Sequence, residues 1–111
     1  MSLETARGVY VIAPTPFHDD GRIDHASIDR MTDFYRAAGA TGITVLGQMG
    51  EAPKLDAAEA MDVTRRVIRR AGMPVVVGVT APGFAAMRAL AREAMDAGAA
   101  GVMIAPPNTL R

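Results

Sequence analysis

Cysteine is missing altogether from these 111 residues, tryptophan with it, and lysine occurs once, at Lys54, among eleven arginines. Without a thiol there is no disulfide framework, thiolate metal site or cysteine nucleophile. The same absence suits a reducing compartment, so a cytoplasmic location is expected. Net charge is lacking too, since twelve basic residues offset twelve acidic ones. Aromatics make up only 5% and interleave with no basic stripe, so nothing supports a nucleic-acid partner. Apolar runs stop at strand length, far short of the ~20 residues of a membrane span. The opening Met-Ser-Leu-Glu-Thr-Ala-Arg lacks the basic-then-apolar layout of a signal peptide. What the chain does have is apolar residues, half of the total. That suffices for one core, and the length leaves no room for a second domain.

An internal echo organises those residues. Ala37-Ala38-Gly39-Ala40-Thr41-Gly42-Ile43-Thr44-Val45-Leu46 returns as Asp96-Ala97-Gly98-Ala99-Ala100-Gly101-Val102-Met103-Ile104-Ala105, 59 residues later. A weaker copy lies between them, with Ala71-Gly72 leading through Pro74 into Val75-Val76-Val77. Each copy reads as a helix end, a glycine and a buried strand. The spacing of about 30 residues is that of one strand-plus-helix unit.

The segments Val9 to Ala13, Ile43 to Leu46, Val75 to Val79 and Val102 to Ala105 are short, apolar and largely β-branched. None alternates polar with apolar, which predicts strands covered on both faces. Between them fall three helical patterns. The first places Ile28, Met31, Tyr35 and Ala38 inward, with Asp24 as N-cap and Gly39 as terminator. The second begins with Asp56 and Glu59 at capping-box spacing and continues through Val63, Val67 and Ala71. The third runs from about Gly83 to Ala97, with Met87, Leu90, Ala91, Ala94 and Met95 inward. The order β-α-β-α-β-α-β implies parallel strands and right-handed crossovers. Both a closed (β/α)8 barrel and a small doubly wound sheet fit it.

In either architecture a ligand meets the carboxyl ends of the strands, where the following loops gather. The loop Gly47-Gln48-Met49-Gly50-Glu51 is the most informative. Two glycines flanking two residues let the backbone turn sharply and aim its amides at one point, which suits a carboxylate or phosphate. A plain tight turn explains the same spacing.

Four motifs in order carry a resemblance. Pro14-Thr15-Pro16-Phe17 follows the first strand, and Gly47-x-x-Gly50-Glu51 with Leu55 follows the second. Pro74 to Val79 and Ala97 to Pro106 supply a third strand and a fourth. Together they resemble the dihydrodipicolinate synthase and N-acetylneuraminate lyase family over nearly the whole chain. The resemblance implies an α/β fold, the (β/α)8 TIM barrel, of which residues 1–111 would be the N-terminal half of a single domain with four strands and three helices. It implies a lyase or aldolase in which a lysine on the sixth strand forms a Schiff base with pyruvate or another 2-oxo acid. The partners would be that acid and an aldehyde, with no cofactor and no metal. The assembly would be a homo-oligomer, commonly a homotetramer in the family. Gly47, Gln48, Met49 and Gly50 would bind the carboxylate through backbone amides.

Two departures stand out. Synthases of the family carry two threonines between the glycines, the first in a proton relay with two tyrosines, and a Pro-Tyr-Tyr run after the fourth strand. Here Gln48 replaces that threonine, and Pro106-Pro107-Asn108 puts Asn108 at the relay tyrosine. A carboxamide shuttles protons poorly. The segment therefore has no catalytic residue of its own, and a different partner for the 2-oxo acid is expected. Lys54 matches no catalytic position and reads as a solvated surface amine. A non-catalytic, doubly wound, small-anion-binding domain is the alternative, and a half-barrel pairing with a second copy is a third possibility.

His18 and His25 with Asp19, Asp20 and Asp24 superficially suggest a metal site, but capping and solvation account for the acids. Arg65-Arg66 and Arg69-Arg70 read as solvated helix surface, with a salt bridge as the second account. The methionines fall mostly at core spacings, Met49 excepted.

Overall fold

The computed structural model describes residues 3–106. Four strands alternate with three α-helices: β1 (Tyr10–Ile12), α1 (His25–Ala37), β2 (Gly42–Val45), α2 (Ala57–Ala71), β3 (Val75–Gly78), α3 (Phe84–Asp96) and β4 (Gly101–Met103). All three strand pairings are parallel, and the order across the sheet is β1-β2-β3-β4. A doubly wound sheet reverses its order at a switch point. No reversal occurs among the described strands, and α1 packs on α2 and α2 on α3 in the same order, the arrangement of about the first four strands of a (β/α)8 barrel. The doubly wound alternative falls with that order.

Helix ends follow the sequence closely. The Asp24 carboxylate accepts from the Ser27 N–H at 3.0 Å and the Ser27 hydroxyl at 2.7 Å, which holds its pKa below the ordinary carboxylate value. Asp56 and Glu59 form the reciprocal capping box at 2.8 and 3.1 Å. Truncating that cap, Asp56→Ala, is expected to cost about 1 kcal/mol, read as a lower urea midpoint at unchanged slope. Gly39, Gly72 and Gly98 have φ of 89°, 61° and 106°, the left-handed region that ends helices most cheaply at glycine.

One core joins sheet and helices. Ile43, Val45, Val75, Val77 and Val79 pack beneath Ile28, Val63, Val67, Ala71 and Ala94. Two expected inward residues are not inward: Ala38 is exposed and Met95 is 48% exposed. Thr32 and Thr64 are buried instead, their hydroxyls donating to the Ile28 and Ala60 carbonyls at 2.8 Å each. A threonine satisfied by its own helix buries like valine. β2 is buried along its whole length, while the carboxyl ends of β1 and β4 are exposed. Register puts Ile12 beside Thr44 and Met103 beside Gly78 on the face away from the helices, and Ile12 and Met103 stay 50% and 42% exposed.

The basic pairs on α2 stand at the helix surface, with Arg65, Arg69 and Arg70 exposed and Arg66 half-buried, and three of the four are ion-paired. Arg66 forks onto Asp29 with two bonds of 2.8 Å, and Arg70 forks onto Asp33 at 2.9 and 2.8 Å, clamping α2 to α1. The guanidinium of Arg66 draws the Asp29 pKa down, and that of Arg70 does the same to Asp33. Arg65 lies 3.6 Å from Glu93 on α3. For these three residues solvated helix surface and an intramolecular salt bridge both hold.

Candidate functional site

The site forms at the carboxyl ends of β1 and β2. Leu46 leaves β2 with φ 59°, and Glu51 closes the loop with φ 55°. These are the two non-glycine residues in the left-handed region among those described, and such conformations persist only where the surroundings hold them. Within the loop, the Gly50 N–H donates to the Gly47 carbonyl and the Glu51 N–H to the Gln48 carbonyl, each at 3.1 Å. The chain thereby folds into two overlapping turns. Gly47 and Gly50 are buried, while Gln48 and Met49 stand exposed at the tip, Met49 by 62%.

The main-chain N–H groups of Gln48 and Met49 donate to no protein acceptor among the described residues. Adjacent uncommitted main-chain donors of this kind are the groups that anion-binding loops use. Beneath it the floor is apolar. A Cβ on Gly47 would lie 3.3 Å from the Met103 terminal methyl and 3.8 Å from an Ile12 methyl. All four predicted residues, Gly47, Gln48, Met49 and Gly50, are brought together in this one loop. Asn108 lies outside the described residues.

Lys54 does not join them. It sits in a short 3-10 turn, Ala52–Lys54, with its side chain 68% exposed and its amine paired to the Glu51 carboxylate. The two histidines line a separate cavity of ≈ 370 Å³ with Arg22, Ile23 and two acids of α2, Glu59 and Asp62. His25 bonds Asp62 at 2.7 Å, Asp24 caps α1, and Asp20 holds Arg22 at 2.7 Å. No group of three His, Asp or Glu side chains converges to hold a metal ion among the described residues, and none of the described helices is long and apolar enough to cross a membrane.

Sequence reasoning missed one residue. Thr15, 6% exposed, donates its hydroxyl to the Gly50 carbonyl at 2.7 Å across 35 residues of chain. A lone threonine in a Pro-Thr-Pro run carries no signal of so distant a partner.

Sequential parallel strands, outer helices and a donor-bearing rim loop define a barrel whose ligand is met at the strand carboxyl ends. A model of the dihydrodipicolinate synthetase family matches residues 5–109, and the chain belongs to that family. It is 36% identical over 110 residues to a 4-hydroxy-tetrahydrodipicolinate synthase of Sorangium cellulosum, covering 96% of this chain and 36% of that protein. A crystal structure of dihydrodipicolinate synthase from Rhodopseudomonas palustris shares 70% identity at a TM-score of 0.90, over 96% of this chain and 36% of that one. The Acinetobacter baumannii synthase, crystallised with pyruvate, is 28% identical at a TM-score of 0.86 over 90% and 35% of the two chains. The chain thus spans about a third of the length of these relatives.

Proposed function

We propose that residues 1–111 are the N-terminal half of a single barrel domain, and that the whole protein is a lyase or aldolase acting on pyruvate or another 2-oxo acid. In this reading the substrate carboxylate sits on the Gln48 and Met49 amides, and the lysine comes from a sixth strand beyond Arg111. Its amine adds to the C2 carbonyl and water leaves. The iminium then takes up the electron pair freed when a C3 proton departs, and the resulting enamine attacks an aldehyde. The observation that carries this reading is the pair of adjacent, unclaimed N–H donors between Gly47 and Gly50. A carboxylate needs such donors; a plain turn leaves the same two amides free, and ligand capture is what separates the two readings.

Gln48 and Asn108 bear on the choice of aldehyde. A carboxamide and a second amide-bearing side chain would stand where family synthases place hydroxyl groups of a relay, and neither exchanges donor and acceptor roles readily. The aldehyde is therefore proposed to differ from that of the lysine-pathway synthases, with the 2-oxo acid half of the reaction retained.

Borohydride reduction of the full-length protein with pyruvate tests this. The expected product is protein heavier by one reduced pyruvate, with the adduct on a lysine other than Lys54. No adduct at saturating pyruvate would overturn the reading.

A further inference from the structure

We propose that Thr15 is the positioning residue of the carboxylate-binding loop, acting through the Gly50 carbonyl; this rests on the function proposed above. The Thr15 hydroxyl is the side-chain group that ties the β1 loop to the β2 loop. It is buried, and its 2.7 Å bond ends on the peptide joining Gly50 to Glu51. That peptide leads into Glu51, whose left-handed φ of 55° is costly for a side-chain-bearing residue. A peptide next to a left-handed residue has a competing orientation, and a buried acceptor left without its donor favours turning toward another.

The consequence reaches the donors. The Glu51 N–H lies on the peptide that Thr15 holds and closes the second turn onto Gln48, while the Gly50 N–H, one peptide earlier, closes the first onto Gly47. Rotating the held peptide breaks the Glu51 bond to Gln48 and releases the second turn, which lets the Gln48 and Met49 amides leave their present orientation. Thr15 itself is linked to the rim only through that carbonyl among the described residues, so it touches no reacting atom. Its effect should fall on capture of the 2-oxo acid and spare the later bond-forming step. A purely structural threonine would lower stability and leave the balance between KM and kcat alone.

The experiment uses the full-length protein and pyruvate, with borohydride trapping as the binding readout and pyruvate turnover beside an aldehyde screen. Thr15→Val should raise the pyruvate concentration for half-maximal trapping by about tenfold, while the trapped fraction at saturation stays near that of the parent. Thr15→Ser, which restores the hydroxyl, should return it to within about twofold. If Thr15→Val does not fold, Thr15→Ala removes the same hydroxyl without setting a methyl against the carbonyl, and the same shift is expected. An unchanged half-saturation in the valine or alanine variant overturns the proposal, as does an equal shift in the serine variant. Failure of the parent protein to trap pyruvate at all sinks the functional reading and the proposal together. A trapping parent with an indifferent Thr15 sinks the proposal alone.

Discussion

Gly78→Ala is expected to destabilise the protein by about 3 kcal/mol or more, a large share of the roughly 5–15 kcal/mol that holds an ordinary domain folded. A Cβ on Gly78 would come 2.2 Å from the Leu46 carbonyl oxygen and 2.8 Å from its carbon. Those are backbone atoms, so no rotamer change can absorb the contact. Either β3 moves away from β2, breaking the register of Val45 with Val77, or the Leu46 peptide turns. Leu46 already has a left-handed φ of 59° as it leaves the strand, and turning its peptide undoes the entry to the rim loop. Both outcomes cost stability, and the second also removes the proposed ligand site. Equilibrium urea unfolding measures the effect; a variant within about 1 kcal/mol of its parent would show that the two strands can separate without penalty.

Much of this could be read from sequence, and the reason is local. Glycines 39, 72 and 98 mark helix ends because a left-handed terminator has few substitutes, and Asp56 with Glu59 marks a start because reciprocal capping has a fixed spacing. The four strands are legible as β-branched runs, with bounds shifted by one or two residues at their tips. Periodicity failed where chemistry replaced hydrophobicity. Thr32 and Thr64 count as polar in any pattern, yet each feeds its hydroxyl to the carbonyl four residues back and buries completely. Ala38 fits the stripe but lies past the last turn of α1, where the chain has turned outward. The forks of Arg66 and Arg70 were underread because a basic pair on a helix says nothing about Asp29 and Asp33, which are more than 30 residues upstream. At the site the asymmetry is sharper. The loop was visible because glycine spacing is a property of contiguous sequence. Thr15 was invisible because its partner is fixed only when β1 and β2 lie side by side, with the Ala13 N–H donating to the Thr44 carbonyl at 2.9 Å.

Gly50→Ala should weaken pyruvate capture by about 100-fold, whereas Gln48→Ala and Met49→Ala should each change it by less than about fivefold. The contrast follows from which atoms bind. If main-chain N–H groups hold the carboxylate, the side chains at positions 48 and 49 are replaceable. Both are exposed, and neither engages a protein partner among the described residues. Gly50 differs because its surroundings are backbone: a Cβ there would lie 2.9 Å from the Leu46 nitrogen and 3.0 Å from its Cα, with the Gly47 nitrogen at 3.3 Å. The loop is folded back against its own beginning, and a methyl group forces it open. Opening breaks the Gly50 N–H bond to Gly47 and shifts the carbonyl that Thr15 holds, so the amides at 48 and 49 cease to converge. Losing two charge-assisted bonds at about 1.5–3 kcal/mol each, with partial replacement by water, leaves a net loss near 3 kcal/mol, or about a hundredfold. Half-saturation of borohydride trapping on the full-length protein reads the effect, and circular dichroism separates it from unfolding. A Met49→Ala or Gln48→Ala variant as impaired as Gly50→Ala would transfer the binding role from the main chain to the side chains, and the receptive loop would have to be redrawn around them.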